Sequence, residues 1–327
     1  MHGQWKGLRG KGGAVCQGAF RYPLFGNAVY EGALVSGQRQ GWGKQVCHSG
    51  VYEGEFKDGE MSGSGRRQYC DGGSYKGEWE DGLKHGEGSL VLPNGDKYVG
   101  HFSEGEMEGC GVYYLSNGDI YSGEMQAGLM HGEGEYNFAV PHNARYKGTF
   151  LDNVRHGKGT FEFEENERTF RYAGDFRDGT QTGSGVLHIS NGDKYTGAFL
   201  NGQFHGCGEY DYKDGSRYEG LFVHGLMHGE GDFVAASATN EIHGNGERYS
   251  GGWSKGVRHG HGLVTLTNCV SGESETIQGT WREGVREGDF TRITSWGRVV
   301  YERCIAGKRT AFSLGQQVTC PAHFSQD

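Results

Sequence analysis

The chain has 327 residues, of which 63 are glycine and only 4 proline, with 13% aromatic residues and a formal net charge of −9. Aromatic residues at this frequency argue against a disordered chain, although glycine at this level without a period would indicate a flexible linker. The acidic balance disfavours general nucleic-acid binding, because the phosphates would be repelled.

A pattern with the spacing Tyr-x-Gly-x-aromatic recurs along the chain and sets its period. Its first residues, in chain order, are Tyr30, Tyr52, Tyr75, Tyr98, Tyr121, Tyr146, Tyr172, Tyr195, Tyr218, Tyr249 and a degenerate copy at Ile277. Five of the ten intervals are 23 residues long, and the others carry insertions or one deletion. A fixed period of this length predicts a repeat protein of about eleven units.

The two ends of the chain depart from the pattern and are interpreted as caps, which repeat arrays need in order to hide their open edges. Residues 1–29 hold a decayed half-unit at residues 16–20, and the array itself is predicted to occupy residues 30–290. Residues 291–327 are predicted to form C-terminal cap strands and a tail. In the last unit Ile277 replaces tyrosine, and Gly288 is not followed by the second glycine.

The unit that begins at Tyr75 shows the pattern most clearly and predicts a β-hairpin. Tyr75, Gly77 and Trp79 alternate along one strand, so they share one of its faces. Leu90 and Leu92 alternate in the same way on a second strand. A two-stranded hairpin alone is only marginally stable, so each unit is expected to bury its aromatic face against its neighbours.

The recurring glycines are given separate roles. Gly77 is expected to leave a gap into which a neighbouring ring lies. Gly82 stands at a turn, and Gly86 and Gly88 are expected to permit a tight bend where the second strand begins. Between units, Asn-Gly and Asp-Gly pairs predict type I′ turns, which need positive φ angles. These pairs are Asn94-Gly95, Asn117-Gly118, Asn191-Gly192 and Asp214-Gly215.

The predicted fold is all-β: an elongated, twisted, single antiparallel sheet, a ribbon of about eleven stacked hairpins. Helices are not predicted, because no segment shows a sustained 3.6-residue pattern. The rings expected to define the repeats are Tyr75, Trp79, Tyr98, Tyr121, Tyr195, Tyr218, Tyr249 and Trp253.

The skeleton Tyr-x-Gly-x-Trp/Phe-x-x-Gly-x-x-His-Gly-x-Gly, which runs from Tyr75 to Gly88 and recurs from Tyr195 and Tyr218, resembles the MORN (membrane occupation and recognition nexus) repeat. The resemblance covers residues 30–290, most of the chain. MORN arrays are known as scaffolds in cytoskeletal and ciliary assemblies, including radial spoke heads. They also occur beside lipid kinase, methyltransferase or membrane-anchor segments, whereas here the repeats nearly fill the sequence.

The connections that exceed the period all fall between one hairpin and the next, so they are expected to line one long edge of the ribbon. They follow the units at Tyr121, Tyr146, Tyr218 and Tyr249, and the segment of residues 235–246 is the largest. This edge is predicted to contact a partner through Ala236, Thr239, Asn240, Ile242 and His243.

Six histidines stand in register, at His85, His131, His156, His205, His228 and His259. Equivalent positions lie two strands apart, roughly 10 Å, whereas zinc holds its ligands at about 2.0–2.3 Å. The histidines are therefore interpreted as packing or hydrogen-bonding residues, and no metal site is predicted. A milder hypothesis is that protonating the row below about pH 6.5 weakens the array or a partner contact.

Residues 252–256 match the Gly-x-Ser-x-Gly nucleophile elbow around Ser254. Trp253 and Gly256, however, are the aromatic and turn positions of their repeat, and the elbow needs a strand-to-helix turn. No Gly-Lys pair continues to the Ser or Thr of a phosphate-binding P-loop. No catalytic or cofactor-binding residue is predicted, and the chain is expected not to be an enzyme. Several carboxylates are interpreted as a solvated face: Glu53, Glu55, Glu78, Glu124 and Asp175.

Two function classes remain. The first, which is favoured, is a scaffold or adaptor that holds a helix or extended peptide along the ribbon groove, in a ciliary, flagellar or cytoskeletal assembly. The second is a tether for phosphoinositides or a membrane surface, for which the basic candidates are Arg66-Arg67 and Arg303 with Lys308-Arg309. The open sheet ends also make a homodimer plausible.

The sequence favours a cytoplasmic location. No apolar run approaches the ~20 residues of a membrane-spanning helix, and the first residues lack the apolar core of a signal peptide. The eight cysteines are scattered without a C-x-x-C pair, which is typical of reduced thiols in a cytosolic protein.

Overall fold

A computed structural model describes residues 6–10, 13–22, 28–139, 144–236, 245–268 and 271–314. This part of the chain consists of β-strands, turns and loops, and it contains no helix. Two compact units are present, Met1–Phe163 and Glu164–Asp327. Within each unit, successive strands pair antiparallel in chain order, except that the strands at residues 285–286 and 288–294 both pair with the strand at residues 274–282. The predicted all-β fold of stacked antiparallel hairpins is confirmed.

The strands of the first unit are β1 (Lys6–Gly10), β2 (Gly13–Tyr22), β3 (Ala28–Val35), β4 (Gln38–Cys47), β5 (Gly50–Lys57), β6 (Glu60–Tyr69), β7 (Ser74–Glu80), β8 (Leu83–Val91), β9 (Lys97–Ser103), β10 (Glu106–Tyr114), β11 (Ile120–Gln126), β12 (Leu129–Asn137), β13 (Arg145–Leu151) and β14 (Val154–Glu165), which ends just past the boundary.

The strands of the second unit are β15 (Arg168–Arg177), β16 (Thr180–Ile189), β17 (Lys194–Leu200), β18 (Gln203–Asp211), β19 (Arg217–Val223), β20 (Leu226–Val234), β21 (Asn245–Ser254), β22 (Val257–Asn268), β23 (Ser274–Arg282), β24 (Val285–Arg286), β25 (Gly288–Thr294), β26 (Val299–Ile305) and β27 (Lys308–Leu314). The last two strands fall in the predicted C-terminal cap.

Each hairpin closes through a two-residue turn inside the repeat. Between β7 and β8, Asp81 and Gly82 have φ angles of 47° and 80°. Two positive φ angles define a type I′ turn, whose twist matches that of the flanking strands. The backbone N–H of Gly82 donates to the carbonyl of Met61 in the preceding repeat at 2.9 Å, so the turn also ties neighbouring hairpins together.

The type I′ prediction for the Asn-Gly and Asp-Gly pairs between repeats is wrong. At Asn94-Gly95 only the glycine has a positive φ, 92°, and the other three pairs behave alike. The reason is local, since the Oδ1 atom of Asn94 accepts a hydrogen bond from the backbone N–H of Asp96 at 3.1 Å and closes an Asx turn. The type I′ turns lie at x-Gly pairs inside the repeats, such as Asn201-Gly202.

The bend expected at Gly86 is a β-bulge. Gly77 pairs with Gly88, but the next residue, Glu78, pairs with His85, so two residues of β8 are extra. One of them, Gly86, has a φ of 54°, a conformation that residues with a Cβ rarely adopt.

A row of paired glycines crosses each unit and supports the rings of the repeat tyrosines. In the first unit the row joins Gly18, Gly32, Gly43, Gly54, Gly65, Gly77, Gly88, Gly100, Gly111, Gly123, Gly134, Gly148 and Gly159. A Cβ atom on Gly77 or Gly88 would lie 2.5 or 2.4 Å from the hydroxyl oxygen of Tyr75. The ring that fills the gap at Gly77 is therefore that of the tyrosine on the same strand.

The tyrosines and the aromatic residues four positions later form an edge-to-face ladder. The ring of Trp79 lies 5.2 Å from Tyr52 of the preceding repeat and 5.1 Å from Tyr75 of its own. The same bridging is made by Phe56, Phe102, Phe150, Phe199, Phe222 and Trp253. Each edge-to-face pair contributes about 0.5–1.5 kcal/mol beyond area burial. The ladder is the core of each unit, because its tyrosines are at most 3% exposed.

Burial raises the pKa of the ladder tyrosines from Tyr52 to Tyr249, and it raises those of Tyr98, Tyr146, Tyr195, Tyr218 and Tyr249 to about 12. In the unfolded chain a tyrosine ionises near pH 10. Below that pH both states keep the proton, and the full stability is present. Above it the unfolded chain releases protons that the folded one retains, so stability falls as pH rises.

We expect the melting temperature to stay level from pH 7 to 9 and to fall steeply above pH 10. Each tyrosine that ionises only on unfolding adds a slope of about 1.4 kcal/mol per pH unit, and one stands in nearly every repeat. Thermal melts by circular dichroism, with tyrosinate absorbance followed in parallel, measure the effect. Ladder tyrosines that ionise near pH 10 while the strand signal persists would contradict it.

The last repeat keeps the ladder by exchanging two residues. Ile277 occupies the tyrosine position and is fully buried, while Phe290 occupies the position of the second glycine. A Cβ atom on Gly279 would lie 2.3 Å from the ring of Phe290, which packs edge-to-face on Trp281 at 5.0 Å. The ring over the glycine thus comes from the opposite strand of the hairpin.

Candidate functional site

The two faces of the sheet differ in chemistry. Tyr75 and Trp79 point to one face, here called the tyrosine face, and the alternating Lys76 and Glu78 point to the other, the polar face. Every repeat-defining tyrosine and Trp253 lie on the tyrosine face and are buried: Tyr98, Tyr121, Tyr195, Tyr218 and Tyr249.

A half-buried row of side chains lies over the ladder and meets solvent on the tyrosine face. Its members are the first tyrosine-face residues of the second strands, as Lys84 is opposite Trp79. We call it the cover row: Arg39, Met61, Lys84, Met107, Met130 and Arg155 in the first unit, and Gln181, Phe204, Met227, Arg258 and Arg286 in the second. The ring of Phe204, for instance, stacks on Tyr195 at 3.9 Å.

Aspartates in the turns between repeats accept hydrogen bonds from the next repeat on the tyrosine face. Asp96 accepts a hydrogen bond from the Tyr113 hydroxyl at 3.1 Å and another from the backbone N–H of Ser116 at 2.7 Å. Burial alone would raise the pKa of Asp96, but its hydrogen bonds outweigh burial and hold the pKa below the usual value. Asp119 and Asp193 make equivalent contacts with Tyr136 and Tyr210.

The carboxylates interpreted as a solvated face have structural contacts that this interpretation misses. Glu55 accepts a hydrogen bond from the backbone N–H of Ser64 at 3.3 Å, inside the bulge of its hairpin. Glu124 and Asp175 accept equivalent bonds from residues 133 and 184. A Cβ atom on Gly86 would lie 2.4 Å from Glu78 Oε2, so that carboxylate also packs on the bulge. Glu53 instead bridges Lys44 and Arg66, and the hydrogen bonds from these two cations lower its pKa.

The histidine row lies on the polar face at the start of the second strands. His85 Nε2 is 3.2 Å from Glu80, and His131 Nδ1 is 3.5 Å from Asp152. The backbone carbonyl of His85 accepts a hydrogen bond from the Tyr75 hydroxyl at 3.3 Å. Within the described ranges, no three His, Cys, Asp or Glu side chains gather in a way that could hold a metal ion.

Ser254 sits at the end of β21, directly before a hairpin turn. Lys255 and Gly256 have φ angles of 50° and 85°, so the chain passes from strand to strand. The strand-to-helix geometry of a nucleophile elbow is not formed here.

The basic clusters proposed for lipid contact are largely paired with carboxylates. Arg66 donates to Glu53 at 2.9 Å. Arg303 binds Asp289 through two hydrogen bonds of 2.7 and 3.0 Å. Arg309 lies 3.2 Å from the buried Glu302, and Lys308 is exposed.

Of the residues assigned to the partner edge, the structure places Ala236, whose backbone N–H donates to the Ser216 hydroxyl at 3.0 Å. Thr239, Asn240, Ile242 and His243 lie outside the described residues. The extra residues after Tyr146 do not form a longer loop as expected. They extend the two adjacent strands instead, so that β14 has 12 residues and β15 has 10.

Ten segments of the chain match the family model of the MORN repeat, at residues 52–74, 75–97, 98–120, 121–139, 146–168, 172–194, 195–217, 218–237, 249–268 and 278–288. They cover more than half of the sequence, and the chain therefore belongs to the MORN-repeat family. No curated protein matches the chain. MORN repeats are generally involved in protein–protein or membrane interactions.

The copy at Tyr30 precedes the matched segments but has the same geometry. Tyr30 is buried, and a Cβ atom on Gly32 or Gly43 would lie within 2.6 Å of its ring or hydroxyl. In the part of the chain that the structure covers, no helix could cross a membrane.

Proposed function

We propose that the protein is a non-enzymatic scaffold or adaptor that binds protein partners along the tyrosine face of its hairpins. The observation that carries the proposal is the cover row, which places one half-buried, solvent-accessible side chain over the aromatic ladder in successive repeats. A regular row of methionine, arginine and aromatic side chains is the composition typical of protein-contact surfaces. A helix or extended peptide would lie across the strands and touch several repeats at once.

A cytoplasmic place in a ciliary, flagellar or cytoskeletal assembly, such as an axoneme or radial spoke, is part of the proposal. It rests on the similarity to MORN scaffolds and on the ten repeats matched between residues 52 and 288. A phosphoinositide or membrane tether is the second candidate, because MORN repeats also take part in membrane interactions. The carboxylates beside Arg66, Arg303 and Arg309 favour the protein scaffold, since paired cations attract an anionic surface less.

Proximity labelling from the tagged full chain, combined with imaging of the label, tests the proposal. We expect the label on the cilium or cytoskeleton and a reproducible set of protein neighbours. A diffuse label without such neighbours would count against the scaffold.

Flotation with phosphatidylcholine liposomes, with and without phosphoinositide, separates the two candidates. The scaffold predicts that the chain stays in the lower fraction in both cases. Phosphoinositide-dependent flotation would favour the tether.

The edge that includes Ala236 stays a prediction. Deleting residues 236–243 is expected to remove at least one labelled partner in a pull-down, because this is the longest connection between repeats. Retention of every partner by the deleted chain would show that this edge is not a contact site.

A further inference from the structure

Three cations on the tyrosine face of the first unit lie over aromatic rings and make no direct ion pair with a described carboxylate. The guanidinium of Arg39 is 5.0 Å from the ring centre of Phe56, and the ammonium of Lys84 is 5.4 Å from that of Phe102. Arg67, which pairs with Tyr52 and Tyr75 and so shares this face, lies 5.1 Å from the ring of Tyr69. Among the described residues, none of the three cations has a carboxylate within 4.0 Å.

The acceptors that these cations do meet are neutral. Arg39 donates to the side-chain oxygen of Gln45 at 2.5 Å, and Arg67 donates to the Ser49 hydroxyl at 2.9 Å. Burial lowers the pKa of Lys84, an effect that the negative charge of Glu106 only partly offsets, so its ammonium is kept charged at some cost. An arriving carboxylate would stabilise all three cations, because charge-assisted bonds strengthen in partly buried surroundings.

Two carboxylates on the same face, those of Asp96 and Asp119, are already engaged in hydrogen bonds. Asp96 holds Tyr113 and a backbone N–H, and Asp119 holds the Tyr136 hydroxyl at 2.7 Å and the backbone N–H of residue 139. The polar face differs, because there Glu53 bridges Lys44 and Arg66. The tyrosine face of the first unit therefore offers cations to an acidic ligand, although the chain as a whole is acidic.

Apolar side chains separate the cations along the cover row. Met61 stands between Arg39 and Lys84, and Met107 and Met130 follow. Neighbouring members are two strands apart, roughly 10 Å. Methionine adapts its shape to an incoming surface, so the row alternates charge recognition with adaptable apolar contact.

We propose that this stretch of the cover row, together with Arg67 beside it on the tyrosine face, binds a protein segment that carries acidic side chains among apolar ones. Its carboxylates bind Arg39, Arg67 and Lys84, and its apolar side chains pack on Met61 and Met107. The inference rests on the proposed scaffold function and assigns the partner's chemistry. A peptide fits better than a bilayer, because the cationic groups lie on rings within a half-buried surface and do not project from it.

The test uses the full chain and two synthetic amphipathic peptides, one with glutamates beside its leucine face and one with glutamine in their place. Fluorescence anisotropy is expected to show binding of the glutamate peptide, about tenfold weaker binding of the glutamine peptide, and weakening by salt. Lys84→Met should lower the affinity for the glutamate peptide about fivefold or more. Methionine already stands at this position in the adjacent repeats, so the melting temperature should not fall.

Lys76→Met is the matched control, since it removes the same charge from the polar face. Its binding should stay within about twofold of wild type, because the exposed cation is remote from the row and screened. Equal binding of the two peptides, or equal losses in the two variants, would overturn the inference. Binding to phosphatidylserine vesicles through Lys84 without binding of the glutamate peptide would overturn it in favour of a lipid surface.

Failure of this inference is distinguishable from failure of the scaffold. A labelled protein partner that binds Lys84→Met and Arg39→Met chains as tightly as wild type contradicts the acidic-segment inference and leaves the scaffold standing. If the glutamate peptide binds in a Lys84-dependent way but proximity labelling finds no protein partner, the recognition chemistry is supported and the scaffold function is contradicted.

Discussion

Gly88→Ala is expected to destabilise the protein by about 3–5 kcal/mol, a loss typical of removing a large aromatic from a core. By backbone preference alone, alanine in an extended strand should stabilise by roughly 0.5–1 kcal/mol. The new Cβ atom, however, would lie 2.4–2.6 Å from two ring carbons and the hydroxyl oxygen of Tyr75. The ring would have to leave its place, and its edge contacts with Trp79 and Phe102 would be lost.

Urea denaturation followed by circular dichroism measures this loss, and hydrogen exchange locates it. Contacts in a repeat array run between neighbours, so β7 and β8 should lose protection first. Gly59→Ala is the control, because Gly59 has a φ of 92° and nothing within 4 Å of a new Cβ atom. It should cost only the backbone strain of about 1–2 kcal/mol. A Gly88→Ala protein as stable as wild type would show that the ring does not need the bare glycine.

The hairpins and the buried tyrosines were predictable because each depends on short-range pattern. The alternation of Tyr75, Gly77 and Trp79 sets one face of a strand, and its repetition at 23 residues sets the stacking. The turns were misplaced because Asn94 carries two competing signals. Asn-Gly favours positive φ at both residues, but the asparagine side chain also closes an Asx turn onto Asp96, and the Asx turn is the one that forms.

The cover row was missed because its residue types vary while its position is constant. Lys84, Met107 and Phe204 have a cationic, a thioether and an aromatic side chain, but each stands five residues after the ladder aromatic of its repeat. The type I′ turn then places that position opposite the aromatic residue. The constant spacing from the ladder aromatic, and not the residue type, is therefore the sequence signal that identifies the row.

Residues that are adjacent in sequence need not be adjacent on the surface. Arg66 and Arg67 form one basic pair in the sequence, but strand alternation sends them to opposite faces. Arg66 binds Glu53 on the polar face, and Arg67 lies over Tyr69 on the tyrosine face. The sequence cluster proposed for lipids is therefore split, and one half of it belongs to the surface inferred to hold an acidic segment.

The exchange in the last repeat shows that the ladder requires one ring over each glycine pair but accepts it from either strand. Elsewhere the first strand supplies the ring and the second supplies a bare glycine. At Gly279 the first strand supplies Ile277, and the ring comes from Phe290. The two substitutions that restore the standard repeat should therefore be harmful singly and tolerated together.

Phe290→Gly alone is expected to cost about 3–5 kcal/mol, because Gly279 loses its covering ring and Trp281 loses one of its two edge-to-face neighbours. Ile277→Tyr alone should cost about 1–3 kcal/mol by overpacking, since the new ring needs the space that Phe290 fills. The double variant should lie within about 1 kcal/mol of wild type, a coupling of about 3 kcal/mol or more.

Urea denaturation of wild type, the two single variants and the double variant measures this coupling. Ile277→Leu is the control, because it adds no ring. Its free energy of unfolding should lie within about 1.5 kcal/mol of wild type, and it should show little coupling to Phe290→Gly. Additive losses in the tyrosine–glycine cycle would mean that the two positions act independently, and that Phe290 covers Gly279 without replacing the tyrosine. Strong coupling would mean that the repeat requires one ring in the space over each glycine pair. Which of the two strands supplies that ring would then matter less. The ring in this space also supports the cover row, because the guanidinium of Arg286 lies 5.7 Å from the ring centre of Phe290 in this repeat.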